Sequence, residues 1–98
     1  MIKKFDDKNI HRLAEAFVCI DNKEECLSFL ADLCTISEVK AMAQRLEVAA
    51  MLNERKVYSD IVAKTGASTA TISRVNNALT YGEEGYRAVL SKLSENQE

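Results

Sequence analysis

Across 98 residues there is no proline and there are only three glycines, at positions 66, 82 and 85, and this scarcity of chain breakers is what most restricts the fold. Without those residues the tight turns of a β-meander have little to form from, while Ala, Leu, Glu and Lys keep helix propensity high along the chain. An all-α fold is expected. Apolar residues make up 47% of the chain, enough to build one packed core at this length, and no low-complexity tract interrupts them. Residues 1–98 are therefore expected to form a single helical domain.

Apolar spacing divides the chain into six helices. From Asp7 to Ile20 a stripe of Ile10, Leu13, Phe17 and Ile20, with Ala14 and Val18 beside it, gives an amphipathic helix that Asp6 or Asp7 can cap. Asp21-Asn22 stops it and caps a second helix, with Glu24 and Glu25 in the first turn. That helix runs to about Thr35 and is expected to bury Cys26, Leu27, Leu30, Leu33 and Cys34, with Phe29 at the edge. A third helix, from Ser37 to about Asn53, is apolar over more than half its circumference (Val39, Met42, Ala43, Leu46, Ala49, Ala50, Leu52), so it lies centrally or is shared between two chains. Short helices at 57–65 and 68–80, a break at Tyr81-Gly82, and an amphipathic helix with Tyr86, Val89, Leu90 and Leu93 complete the set. Residues 94–98 are expected to fray.

Several function classes fall away. No run approaches the roughly 18 apolar residues of a membrane span, and Met1–Asp7 lacks a signal-peptide core, so a cytoplasmic protein is expected. Cys19, Cys26 and Cys34, at spacings of 7 and 8, fit neither a disulfide framework nor a zinc site and read as reduced core cysteines. His11 has no nucleophile or second base to pair with and reads as a helix-surface or interface residue. With no paired carboxylates, phosphate loop or metal set, no enzyme is expected, and no metal.

The informative stretch is Tyr58–Asn77. Ile61 and Thr65 share one face of the first short helix, and Gly66 can take the left-handed conformation of a tight inter-helix turn. Ala67 is small enough to tuck beneath it. Ser68 stands as N-cap of the next helix, which Ile72, Val75 and Leu79 bury against the first. Thr69, Ala70, Thr71, Ser73 and Arg74 then line the exposed side and first turn of the second helix. Short polar and small side chains let a helix enter the major groove, where hydroxyls bond base edges and methyls meet thymine. Ser59, Lys64 and Arg55 or Lys56 suit the phosphate backbone, which positions a protein without reading sequence. The net charge is −2, but residues 55–74 carry Arg55, Lys56, Lys64 and Arg74 against Asp60 alone. The one basic stretch thus coincides with a helix-turn-helix, and a sequence-specific regulator of transcription on double-stranded DNA is expected. The alternative is a protein-interaction module on the same fold, docking on another regulator or a polymerase, which the overall acidic charge favours.

Here the chain resembles the Trp repressor family, in particular its Gram-positive Trp-repressor-like branch. The matching segment runs from about Cys34 to Leu79, and its most specific piece is Gly66-Ala67-Ser68-Thr69-Ala70-Thr71-Ile72-Ser73-Arg74. A weaker likeness, confined to the motif, extends to LacI-type repressors and the replication initiator's DNA-binding domain. The resemblance implies an intertwined homodimer of six-helix subunits, with a dimerisation core from about 7–54 and 83–94 and a helix-turn-helix at about 57–80. Its two motifs would meet a palindromic operator about one DNA turn apart, a docking mode known for this family, and the regulator would be a repressor.

The resemblance also implies a corepressor pocket, matched in part. Arg45 and Arg74 correspond to the arginines on either side of a bound indole, and Thr35 to a pocket-wall residue. Val75 stands where tryptophan-binding members have a glycine, and Ala78 replaces a serine that holds the ligand's polar end. Both departures count against L-tryptophan as corepressor: three extra carbons enter a slot shaped for a flat ring, and a hydrogen bond of roughly 1 kcal/mol is lost. Whether any small-molecule effector binds stays open at this point. Arg45 has other roles open to it, reaching solvent or pairing with Glu47 or a partner's Glu38, and Arg74 can equally contact phosphate. Val57 is a poor N-cap, which weakens the start of the first motif helix.

Overall fold

A computed structural model describes residues 2–96. After a short 3-10 turn at Lys3–Phe5 come six α-helices: α1 (Lys8–Val18), α2 (Lys23–Leu33), α3 (Ile36–Asn53), α4 (Tyr58–Thr65), α5 (Thr69–Tyr81) and α6 (Gly85–Asn96). There is no strand among the described residues, so the all-α expectation holds. Residues 94–96, expected to fray, continue α6, and residues 97 and 98 lie outside the described residues. Two compact units divide at Val39/Lys40, within the first turn of α3.

In the first unit, side-chain caps set the helix starts. Asp7 accepts the Asn9 N–H at 2.7 Å to open α1. Asn22 accepts the Glu25 N–H at 2.8 Å to open α2, and the Glu25 carboxylate reaches back to the Asp21 N–H at 3.3 Å. At α3 the cap is Thr35, so the helix starts at Ile36, one residue ahead of the expected Ser37. Its hydroxyl accepts the Glu38 N–H at 3.1 Å while the Glu38 carboxylate accepts the Thr35 N–H at 2.7 Å, a reciprocal capping box. The Thr35 N–H, and then its hydroxyl, hold the Glu38 carboxyl below the usual glutamate range, because both favour the charged form.

What this unit lacks is a core. Neither α1 nor α2 has a buried residue. Phe17 and Phe29 meet edge to face at 5.2 Å between centroids, but the α1 stripe of Ile10, Leu13 and Phe17 stays 38–39% exposed. The expected burial of the α2 face is therefore corrected: Leu27 and Leu33 are exposed, and Cys26, Phe29, Leu30 and Cys34 are half-buried. The cysteines are free thiols, as expected, yet not core residues, since Cys19 is exposed and the other two are half-buried. The physical reason is that two short helices leave their apolar sides facing outward with no third layer of the unit to cover them.

The second unit holds the core. Val48, Ala49 and Met51 from α3, Ile61 from α4, Ala67 from the turn, and Ile72, Val75 and Leu79 from α5 are all buried, with Leu52, Tyr86 and Leu90 packed around them. Val48 and Met51 were not singled out in the sequence, where an all-round apolar α3 offers no preferred stripe. The helix ends in a Schellman motif: Lys56 N–H bonds to Met51 O at 3.0 Å and Arg55 N–H to Leu52 O at 2.9 Å, with Arg55 left-handed at φ 65°. After α5, Gly82 closes the helix where a Cβ would run into the Ala78 carbonyl oxygen. Arg87 of α6 then donates to Asn53 Oδ1 at 3.1 Å and to the Leu79 carbonyl at 3.2 Å, tying α6 to the ends of α3 and α5.

Candidate nucleic-acid interface

The turn between α4 and α5 is built by four consecutive residues, each with a separate task. Thr65 closes α4, its hydroxyl donating to the Ile61 carbonyl at 2.7 Å and accepting the Ala67 N–H at 3.1 Å. Gln44 of α3 donates to the Thr65 carbonyl at 3.2 Å and so pins the turn to the scaffold. Gly66 is left-handed at φ 72°, a conformation costly for any residue with a Cβ. Ala67 is buried beneath the turn, and Ser68 caps α5 by accepting the Thr71 N–H at 3.1 Å. Val57 gives α4 no side-chain cap.

This anchoring fixes which side of α5 faces outward. At 100° per residue, Ile72, Val75 and Leu79 fall within about 60° of each other, and all three are buried. Ala70, Ser73, Arg74, Asn77 and Tyr81 fall within about 100° on the opposite side, and all five are exposed. Thr69 stands on one flank. Thr71 stands on the other, half-buried, with its hydroxyl 3.1 Å from that of Ser68. Of the expected base readers, Ala70 and Ser73 thus lie on the outer face, with Thr69 and Thr71 beside it. Asn77 and Tyr81 were missed by the sequence reading, although their spacing of seven and eleven from Ala70 places them on the same stripe.

The expected backbone contacts are less unified. Arg55 and Lys56 are exposed in the Schellman turn, and Ser59 and Lys64 are exposed on α4. Five residues separate Ser59 from Lys64, about 140° around the helix, so they occupy different flanks. Asp60, four residues before Lys64, shares its flank.

The residues matched to a corepressor pocket are dispersed in character. Arg45 is half-buried on α3, while Arg74 and Ala78 are exposed on α5. Thr35 spends its hydroxyl on the α3 cap. Val75 is 1% exposed and is part of the hydrophobic core. No group of three or more His, Cys, Asp or Glu that could hold a metal occurs among the described residues.

The Trp repressor protein family matches residues 8–94. An uncharacterised protein of Bacillus subtilis, YerC, is 45% identical over 96 residues, covering 98% of this chain and 92% of the relative. Two solved structures superpose with a TM-score of 0.89 each. One is a candidate Trp repressor from Staphylococcus aureus, 38% identical over 96% of this chain and 94% of that one. The other is a TrpR-like protein from Eubacterium eligens, 44% identical over 95% of this chain and 96% of that one. With a match across nearly the whole chain, six helices and a helix-turn-helix built as described, this protein belongs to the Trp repressor family.

Proposed function

We propose that the protein is a dimeric, sequence-specific DNA-binding regulator of transcription, acting as a repressor on a palindromic operator. The observation that carries this reading is the outer face of α5: exposed, with short side chains at Ala70 and Ser73 beside Arg74, and set by a buried stripe on its other side. Thr69, Ala70, Ser73 and Thr71 meet base edges. Ser59, Arg55 and Lys56 meet phosphates, and Lys64 contributes charge from the other flank of α4.

The dimer is supported by surfaces that a single chain leaves uncovered. In the first unit, no residue of α1 or α2 is fully buried. In the second, an open groove of about 680 Å³ between α3 and α6 places Leu46, Ala50, Leu90 and Leu93 beside polar residues such as Glu47, Arg87 and Glu95. A second copy of the chain covers both, and one functional unit then spans residues 1–98. Binding is independent of tryptophan, because Val75 already occupies the core beneath the reading face.

Selection of binding sites from random duplex DNA, at moderate salt and without amino acids, tests these statements together. A two-fold symmetric motif with half-sites about ten base pairs apart is expected, and added tryptophan leaves the affinity unchanged. Sequence-blind binding together with a co-purifying protein would instead favour an interaction module, the reading that the net charge of −2 supports. A tryptophan-dependent gain in affinity would overturn the ligand-independent form.

A further inference from the structure

We infer that Gln44 is a positioning residue: its carboxamide sets the tilt of the helix-turn-helix on α3, and with it the half-site spacing that a dimer of this chain accepts. This role rests on the dimeric DNA-binding reading and holds for any orientation of α5 on the duplex. Thr65 ends α4 and Leu79 lies in the last turn of α5, so neither carbonyl has a partner within its own helix, and no backbone N–H from outside reaches them. Side chains of the scaffold take both. Gln44 Nε2 of α3 donates to the Thr65 carbonyl at 3.2 Å, and Arg87 Nη2 of α6 donates to the Leu79 carbonyl at 3.2 Å. The motif is thereby tied at its turn and at its tail by different helices.

The two ties differ in what backs them up. At the tail, the Leu79 side chain is buried in the core and Arg87 also donates to Asn53 Oδ1 at 3.1 Å. At the turn, Gly66 and Ser68 are exposed, and Ala67 is buried through a single methyl group. Apolar contact holds the turn down but gives it no direction. The Gln44 bond is directional, and it is the one side-chain hydrogen bond between α3 and the motif among the described residues. From Ser68 to Leu79 α5 rises about 16 Å, so a tilt of about 12° about the tail moves the turn by about 3.4 Å, one base-pair step. Without the bond, several tilts coexist and only a fraction of molecules fits a given spacing.

The test uses the full chain and the half-site selected from random DNA, set in duplexes with the selected spacing and with one base pair more or less. Gln44→Met keeps the length of the side chain and loses the donor, and Gln44→Lys restores a donor. At the selected spacing Gln44→Met is expected to bind about two- to tenfold more weakly for each motif, the worth of one hydrogen bond. Affinity at the other two spacings changes less, so the profile flattens, and Gln44→Lys is expected to return the narrow profile. A loss of folded protein alone lowers all three affinities by one factor. A Gln44→Met profile as narrow as that of wild type, or one that Gln44→Lys leaves flat, would overturn the positioning role. Absence of a two-fold symmetric motif with wild type would overturn the dimeric DNA-binding reading instead, and hydrogen exchange in the free protein then decides the tie itself. The Gly66 and Ala67 amides are expected to exchange faster in Gln44→Met than in wild type or Gln44→Lys, and equal rates in all three would overturn it.

Discussion

The apolar stripe of α1 is as regular as that of α5, yet the two helices end up in opposite situations. Ile10, Leu13 and Phe17 remain more than a third exposed, whereas Ile72, Val75 and Leu79 are buried. The difference lies in what surrounds them. α5 is clamped between α4 and α6 and rests on the second half of α3, so its stripe has walls on several sides. α1 and α2 offer each other one aromatic contact and no third layer. The helix-turn-helix is therefore a self-contained piece of hydrophobic core, while the N-terminal helices keep their apolar sides exposed.

Truncating each stripe is expected to affect the two helices differently. Ile72→Ala removes a fully buried side chain and is expected to lower unfolding stability by about 2–5 kcal/mol. As the cavity belongs to one chain's own core, the loss should be the same at every protein concentration. Phe17→Ala is expected to cost about 1–3 kcal/mol, with the midpoint falling further on dilution if the proposed dimer covers the ring. Chemical denaturation at two concentrations a hundredfold apart reads both. If Phe17→Ala were indifferent to concentration, the contrast between the two stripes would break.

The same contrast explains what could be read from the sequence. Gly66, Ala67, Ser68, Ile72, Val75 and Leu79 were all legible, because a turn between two short helices is specified by neighbours a few residues apart. The cysteines were misplaced for the opposite reason. Helical spacing shows that Cys26 and Cys34 share a face with Leu30 and does not show whether the same chain covers it. Within α3, Val48 and Met51 were hidden by apolar residues on every side, and only the position of α4 and α5 selects the buried face. Asn77 and Tyr81 share the stripe of Ala70 at spacings of seven and eleven, but only the buried stripe opposite fixes that side as the outer one. The Thr65 hydroxyl, which bridges the Ile61 carbonyl and the Ala67 N–H, had no signal beyond its helical position.

A smaller effect separates scaffold from function inside the second unit. Arg55 holds φ 65° at the end of α3, where glycine carries no Cβ penalty. Arg55→Gly is expected to raise stability by about 1 kcal/mol. If Arg55 also contacts phosphate, the same variant binds every duplex more weakly, and the dependence of log K on log salt loses about one unit of slope. Melting and a salt titration read the two effects separately. A gain in stability without loss of affinity would assign Arg55 to the helix end alone.

The smallest expected effect distinguishes the two helix starts by pH. The α5 cap is made of Ser68 and Thr71, neither of which titrates in the acid range, whereas the α3 cap depends on the Glu38 carboxylate. Because folding holds the Glu38 carboxyl below its ordinary range, the stability it contributes is fully present above that range. It is lost as the pH falls through the lowered folded-state value. Hydrogen exchange in the first turn of α3 should accelerate on acidification, relative to the intrinsic rate, while the first turn of α5 stays level. Glu38→Gln retains an acceptor for the Thr35 N–H but removes the charge, so its α3 protection should become independent of pH. Equal acid sensitivity at both helix starts, in wild type and variant alike, would place the effect in global unfolding and remove the distinction between the two caps.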